Sequence, residues 1–316
     1  LKPSEQTPYS LIKLVSLLND LLPEGVLNLV NGRGAVTGAH LVGHAAIDRV
    51  SFTGGTVTGR EVMAAAGRQL TPCTMELGGK SANIIFASAD FDKALDSALL
   101  SIFSTNGQQC LAGSRILVEE TIFDKFVDAF LARMSRLKVG DPMAVETEVG
   151  PIASKTHMER ILSFVDHADQ DGDELLGGGH RIEELGEGYF IKPTAVTAKS
   201  NASTVCQAEI FGPFASFLTF KTEQEAISMA NDTEFGLVSY IWSDHLPTVM
   251  NVSEKMRSGI VWVNTPLTRE LRAPFGGYKN SGVGREGGHS CEEFYTEEKT
   301  ITIPKTPLTP FQFGMK

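Results

Sequence analysis

The sequence predicts an α/β protein built around parallel strands, and three observations carry that expectation. Short apolar runs at residues 49–53, 81–86, 115–118 and 259–263 read as strands. Between them lie longer stretches whose apolar residues recur at helical spacing. Helices between short strands imply crossover connections and therefore parallel pairing. At 316 residues the chain also exceeds the length at which one core stops growing, so two domains are expected.

In order along the chain, Thr7-Pro8 reads as a helix start, a capping residue followed by proline at the first helical position. Leu11, Leu14, Val15, Leu18 and Leu22 then share one face. Pro23-Glu24-Gly25 ends that helix, and residues 26–30 read as a short buried strand. A second helix is expected over about 35–43, then strand 49–53, a Gly54-Gly55 break, and a helix through Val62 to Leu70. After strand 81–86, Asp90 caps a helix carrying Ala94, Leu95, Ala98, Leu99 and Ile102. A loop holding Cys110 precedes strand 115–118 and an amphipathic helix with Phe123, Phe126, Val127, Phe130, Leu131 and Met134 inward. Gly177-Gly178-Gly179 and Glu183-Glu184 read as surface turns. Strand 259–263 leads into a Gly-rich loop, and residues 299–303 read as a terminal strand. There is no internal repeat and no low-complexity segment.

Composition narrows the function classes. Hydrophobic residues at 42% and charged residues at 21% are ordinary for a globular protein. A net charge of −10 with a pI near 5.3 leaves no excess of cations to neutralise phosphates, which argues against nucleic acid. The 4 cysteines, Cys73, Cys110, Cys206 and Cys291, form neither a disulfide framework nor a zinc site and fit a reducing cytoplasm. No apolar stretch approaches the ~20 residues of a membrane span. The chain opens on Leu1-Lys2-Pro3 without methionine, which reads as a processed or cut start and leaves an upstream leader open.

Two segments suggest chemistry. Asn106-Gly107-Gln108-Gln109-Cys110 puts a thiol in a Gly-containing loop where backbone N–H groups can meet a developing oxyanion; the alternative is a buried structural cysteine. Glu76 opens Glu76-Leu77-Gly78-Gly79-Lys80, where a carboxylate beside two glycines can act as a general base or be an ordinary solvated residue at a strand end. A thiol that holds an acyl group and a carboxylate that activates water make a covalent cycle.

Other glycine runs are weaker signals. Phe52-Thr53-Gly54-Gly55-Thr56 runs from a strand into a helix start, a place for pyrophosphate or simply a tight turn. Gly32-Arg33-Gly34 with Gly38 is one residue too long for the dinucleotide fingerprint and reads as a decoy. His40 and His44 are four apart but lack a third ligand, so no metal is expected. The run from Gly282 to Gly288, with its Arg285-Glu286 pair, reads as a hairpin or packing loop.

Taken in order, these segments resemble the NAD(P)-dependent aldehyde dehydrogenase superfamily over essentially the whole chain. The pieces that carry the likeness are Lys2-Pro3-Ser4-Glu5-Gln6-Thr7-Pro8, Phe52-Thr53-Gly54-Gly55-Thr56, Met75-Glu76-Leu77-Gly78-Gly79-Lys80 and Gly107-Gln108-Gln109-Cys110. Glu209-Ile210-Phe211-Gly212-Pro213 and Pro274-Phe275-Gly276-Gly277-Tyr278-Lys279 complete the set. The resemblance implies a partial Rossmann-type cofactor domain over 1–76, an α/β catalytic domain over 77–269, and a return to the cofactor domain with an oligomerisation arm over 270–316. It implies Cys110 as nucleophile, forming a thiohemiacetal and then a thioester, and Glu76 as the base that activates hydrolytic water. Lys2 and Glu5 would hold the adenosine ribose, Gly55 and Thr56 the pyrophosphate, Glu209 the nicotinamide ribose, and Phe211 would pack beside the nicotinamide. A carboxylate at Glu5 repels a 2′-phosphate, so NAD is expected over NADP.

The segments Arg269-Glu270-Leu271-Arg272-Ala273-Pro274 and Gly284-Arg285-Glu286-Gly287-Gly288 look most like the branch oxidising hydroxymuconate-type semialdehydes. Arg272, and after it Arg269, are then expected to bind a substrate carboxylate; both can equally pair with surface acids. A homodimer or homotetramer in the cytoplasm is expected. Full-length members of the superfamily carry a further N-terminal portion, including an Asn of the oxyanion hole, which puts the turnover of this piece in question. Two other readings stay open: a fold-keeping member without catalysis, and a cofactor-free cysteine acyltransferase or hydrolase.

Overall fold

A computed structural model describes residues 1–315. The smaller, first part of the chain contains α1 (Tyr9–Asn19), a single π-turn over Gly34–Gly38 running into α2 (Ala39–Val42), β1 (Val50–Thr53), α3 (Thr56–Gly67) and β2 (Cys73–Glu76). The larger half follows with β3 (Ala82–Ile85), α4 (Phe91–Phe103), β4 (Arg115–Glu119), α5 (Phe123–Met134), α6 (Lys155–Asp171), β5 (Glu174–Gly177), β6 (Thr194–Thr197) and α7 (Thr204–Gln207). Next come β7 (Phe214–Phe220), α8 (Glu223–Asn231), β8 (Val238–Trp242), α9 (Leu246–Lys255) and β9 (Ile260–Val263). The chain then returns through β10 (Gly282–Val283) and α10 (Gly288–Tyr295).

Two sheets result. A seven-stranded sheet runs β5-β6-β7-β4-β3-β8-β9, parallel except for the antiparallel edge pair β5–β6. Its central strands are buried on both faces, which is why β3 and β4 read as near-continuous apolar runs. Neighbouring residues of β3 feed opposite cores: Ile84 packs with Met158, Ile161 and Phe164 of α6, and Ile85 with the cluster containing Ala98 of α4 and Phe126 of α5. A three-stranded sheet, β1-β2-β10, pairs β1 and β2 in parallel and adds β10 antiparallel from more than 200 residues further along. The crossing between sheets lies between Glu76 and Ala82.

Several expectations are corrected. Residues 26–30 form no strand: beyond the turn bond from Val26 N to Pro23 O, their backbone bonds run to Leu1, through Leu1 N to Asn28 O and Val30 N to Leu1 O, and two bonds to one residue do not make a ladder. Residues 299–303 are likewise not a strand, having no ladder partner among the described residues, with Ile301 and Ile303 exposed. Helix α1 starts after Pro8, which itself occupies the cap, and stops at Asn19 rather than near Leu22. Of its expected inward face only Val15 is buried. Helix α3 ends at Gly67, and Leu70 takes a left-handed turn with φ 58°. The run from Gly282 to Gly288 is the packing loop expected: it supplies β10, Glu286 bridges Phe275, and Arg285 donates to Gly277 O and Gly284 O. No helix among the described residues is long and apolar enough to cross a membrane.

Candidate active site

The arrangement follows from strand register. β3, β4 and β7 lie side by side in parallel, with Ala82 opposite Arg115 and Arg115 opposite Ser216. The segments entering these strands therefore gather at one edge of the large sheet: Gly78-Gly79-Lys80 before β3, the Cys110 loop before β4, and Glu209-Ile210-Phe211 before β7. β2 ends at Glu76, directly before the Leu77-Gly78-Gly79-Lys80 entry to β3.

Glu76 is not on a loop. It is the last residue of β2, opposite Thr53 on one side and Gly282 on the other, and it is buried at 4% exposure. Its Oε2 finds no hydrogen-bond partner among the described residues. Burial first, and then the charge of Glu286, push its pKa up to about 8, against a smaller opposing pull from Arg285 and Arg269. A base with a pKa near neutrality is the kind that serves proton transfer. Gly276 lets the carboxylate lie there: an added Cβ would meet Glu76 Oε1 at 2.8 Å.

Cys110 is half-buried in a loop whose approach is unusual. Thr105, Asn106 and Gly107 run consecutively through left-handed backbone, with φ of 52°, 58° and 68°. Such strain persists only where surroundings fix it. Here Gln109 Nε2 is held by Ser104, Asn106 bridges Pro151 O and Gly150 N, and Gln108 Oε1 accepts from Ala153 N. Burial, followed by the carboxylates of Glu209 and Glu76, pushes the Cys110 thiol up to about 11; the backbone N–H groups of Cys110 and Leu111 pull the other way. Gly79 joins the neighbouring segments: its N–H donates to Glu209 Oε1, and a Cβ built on it would stand 2.6 Å from the Cys110 carbonyl oxygen.

Glu209 accepts a hydrogen bond from Gly79 N at 3.0 Å, and its other oxygen takes none among the described residues. Burial raises its pKa, opposed by Gly79 N–H, Lys80 and Arg160. Phe211 beside it is half-buried and left-handed, with φ 61°. Lys80 is fully buried with no partner for Nζ, and desolvation brings its pKa down to about 8. In the sequence Lys80 reads only as the end of a motif and Glu286 only as part of a packing loop, and His157 and Arg160 go unnoticed, because their spacing gives no signal before the fold is known.

Near the start of the chain, Lys2 and Glu5 form an ion pair at 3.3 Å, and Glu5 Oε1 accepts from Gly34 N. Backbone N–H groups, its own and that of Gly34, and then Lys2 hold Glu5 below the usual carboxylate range. The supposed decoy Gly34…Gly38 thus lies against these two residues: an added Cβ would come 4.0 Å from Glu5 Oε2 at Gly34, and 3.9 Å from Lys2 Cδ at Gly38. Gly55 is the N-cap of α3, with open space where a Cβ would stand, and Thr56 Oγ1 donates to Asn280 O.

The two arginines behave differently. Arg272 is 89% exposed and bound in a two-pronged pair to Glu270, with both bonds at 2.8 Å. Arg269 stacks over Phe275 at 4.3 Å and pairs with no acid among the described residues, and its charge reaches Glu76. No group of three or more His, Cys, Asp or Glu able to hold a metal occurs among the described residues.

Residues 1–301 match the aldehyde dehydrogenase family. The chain belongs to that family. Aldehyde dehydrogenases from Alternaria alternata and Davidiella tassiana are 41% and 42% identical to it over 305 residues, 96% of this chain and 61% of theirs. HpcC from Thermus thermophilus superposes with a TM-score of 0.96 at 41% identity, covering 99% of this chain and 62% of that one. Betaine aldehyde dehydrogenase from Staphylococcus aureus, solved in complex with NAD+, gives a TM-score of 0.90 at 40% identity, covering 93% of this chain and 59% of its own. The chain thus spans about 61% of the length of the curated relatives it matches.

A dinucleotide suits the residues present in this family member. Gly78 has no side chain where the Glu209 carboxylate crosses, Gly55 leaves open space at the start of a 12-residue helix, and Lys2 with Glu5 offers a donor and an acceptor to a ribose.

Proposed function

We propose that this chain carries the catalytic machinery for NAD-dependent oxidation of an aldehyde to a carboxylic acid. The observation that carries the reading is that Gly79, three residues beyond Glu76, donates its N–H to Glu209 and lies against the Cys110 carbonyl. Cys110 Sγ bonds the aldehyde carbon while the thiol proton passes to the carbonyl oxygen, giving a thiohemiacetal. NAD, when bound, would accept the hydride from that carbon as the hydroxyl gives up its proton to solvent, leaving a thioester. Glu76 then takes a proton from water as that water attacks the acyl carbon, and the C–S bond breaks to release the acid and restore Cys110. The N–H groups of Cys110 and Leu111, which already act on the sulfur, suit an oxyanion beside it.

Glu5 and Lys2 would bind the adenosine ribose, Gly55 and Thr56 the pyrophosphate, Glu209 the nicotinamide ribose, and Phe211 the ring face. The charged, exposed Glu5 supports NAD over NADP. A carboxylated semialdehyde is the proposed substrate, with Arg269 rather than Arg272 as its partner, because Arg269 lacks an acid and acts on Glu76. Free thiols at all four cysteines suit a reducing compartment such as the cytoplasm. The exposed Ile301, Ile303, Leu308, Phe311 and Phe313 support a homodimer or homotetramer through the C-terminal arm.

A thiol pushed up to about 11 favours a second reading, a family member that keeps the fold without turnover. One experiment separates them. With aldehyde and NAD, Glu76→Gln should release about one NADH per site and keep an acyl group on Cys110, visible by intact mass, while Cys110→Ser releases none. NADH formation by Cys110→Ser at the unmodified rate would sink the reading, as would no NADH from the unmodified protein.

A further inference from the structure

The segment from Gly150 to Ile161 touches both halves of the site. Its first residues hold the nucleophile loop, since Gly150 N and Pro151 O bond Asn106, and Ala153 N bonds Gln108. Two side chains from the first turns of α6 then reach the segment before β7. His157 Nε2 lies 2.7 Å from Phe211 O. Arg160 spreads its fork over two more carbonyls, Nη1 to Ile210 O at 2.9 Å and Nη2 to Glu209 O at 2.7 Å. Three consecutive carbonyls are thus bonded by residues three apart on one helix, the spacing that puts two side chains on one face.

We propose that His157 and Arg160 are positioning residues that fix the Glu209 carboxylate and the Phe211 ring relative to Cys110, and so set the seat of the nicotinamide end of the cofactor. This rests on the reading that Glu209 and Phe211 face that end. Three features make the bonds more than incidental packing. Phe211 is left-handed at φ 61°, a conformation a bulky residue adopts only when held. A carbonyl can only accept, so the neutral imidazole must carry its proton on Nε2, and burial keeps the ring neutral by lowering its pKa. Arg160 is itself seated, with its guanidinium 5.2 Å from the Phe164 ring. Ile161 completes the contact by packing against Gly212, where no Cβ fits. The same short strap therefore anchors the loop carrying the sulfur and the loop proposed to seat the ring.

The clamp acts through the backbone and touches neither adenosine nor pyrophosphate residues, which gives it a distinct signature. The test measures binding of NAD and of ADP, which lacks the nicotinamide riboside, to the full chain and to His157→Leu, His157→Gln, Arg160→Leu and Arg160→Lys. The leucine variants should weaken NAD about tenfold or more, the loss expected for one or two hydrogen bonds to carbonyls. They should bind ADP as the unmodified protein does. His157→Gln keeps an N–H donor and should recover most of the loss, while Arg160→Lys, with no planar fork, should recover little. Equal weakening of NAD and ADP, or none, overturns the inference. Failure of the unmodified protein to bind NAD overturns the underlying reading first, and the clamp with it.

Discussion

Gly79 and Cys110 are in backbone contact: a methyl group on Gly79 would stand 2.6 Å from the Cys110 carbonyl oxygen. The strand entry that follows Glu76 and the loop that carries the nucleophile are therefore pressed together with no side chain between them. Gly79→Ala must push the nucleophile loop away, because the atom it meets is backbone. Misplacing a reacting group by about 1 Å can cost ~100-fold in rate, so turnover should fall by that order, read from steady-state NADH formation.

Gly107 is constrained twice over. Its φ is +68°, and an added Cβ would overlap the backbone of Gly212. Gly107→Ala should destabilise the protein by about 2–4 kcal/mol, combining left-handed strain with a backbone shift. Urea unfolding checks this, and a smaller change in midpoint at constant slope would mean that the 212 segment yields.

Glu76 makes stability fall as pH rises. Its folded pKa of about 8 lies above the ordinary 4.5, so the folded protein holds a proton that the unfolded chain has already lost. Stability is thus lost progressively from about pH 4.5 to about pH 8, and removing the titrating group removes that loss. Glu76→Gln should be more stable than the unmodified protein at pH 8–9, by at most about 5 kcal/mol, and equally stable at pH 4. The same substitution should speed alkylation of Cys110 above pH 8, since a carboxylate that holds the thiol up is gone.

Glu5 should set cofactor choice. Glu5→Gln removes the negative charge but keeps an acceptor, so the ratio of NADP to NAD affinity should rise about tenfold. An unchanged ratio, measured by titrating both cofactors, would assign selectivity elsewhere.

Arg269→Ala should raise KM for carboxylated aldehydes about tenfold and leave neutral ones alone, the loss of a charge-assisted bond. Arg272→Ala should change neither, because its charge is already met by Glu270. Equal loss on both substrate classes would show that Arg269 acts through folding.

The sequence made the large sheet readable because buried parallel strands such as β3 and β4 leave unbroken apolar runs. Cys110 and Glu76 were legible as a pair because glycines flank both. What failed were segments whose state depends on partners distant in sequence. Residues 26–30 and 299–303 have the strand composition and no ladder partner among the described residues. Strand β10 has only two residues and no pattern at all, yet it flanks Glu76. His157 and Arg160 were invisible because their bonds go to carbonyls, which no residue type announces.

The β10–β2 pairing has a consequence for synthesis. Residues 282–283 complete the sheet around Glu76, and they leave the ribosome after most of the chain. Until then β2 has a partner on one edge only, and its second edge is open to other chains. The larger half, by contrast, has all seven of its strands once residue 263 has emerged. The Cys110 loop can therefore be fully built in a nascent protein while the Glu76 carboxylate still waits for the returning strand to enclose it.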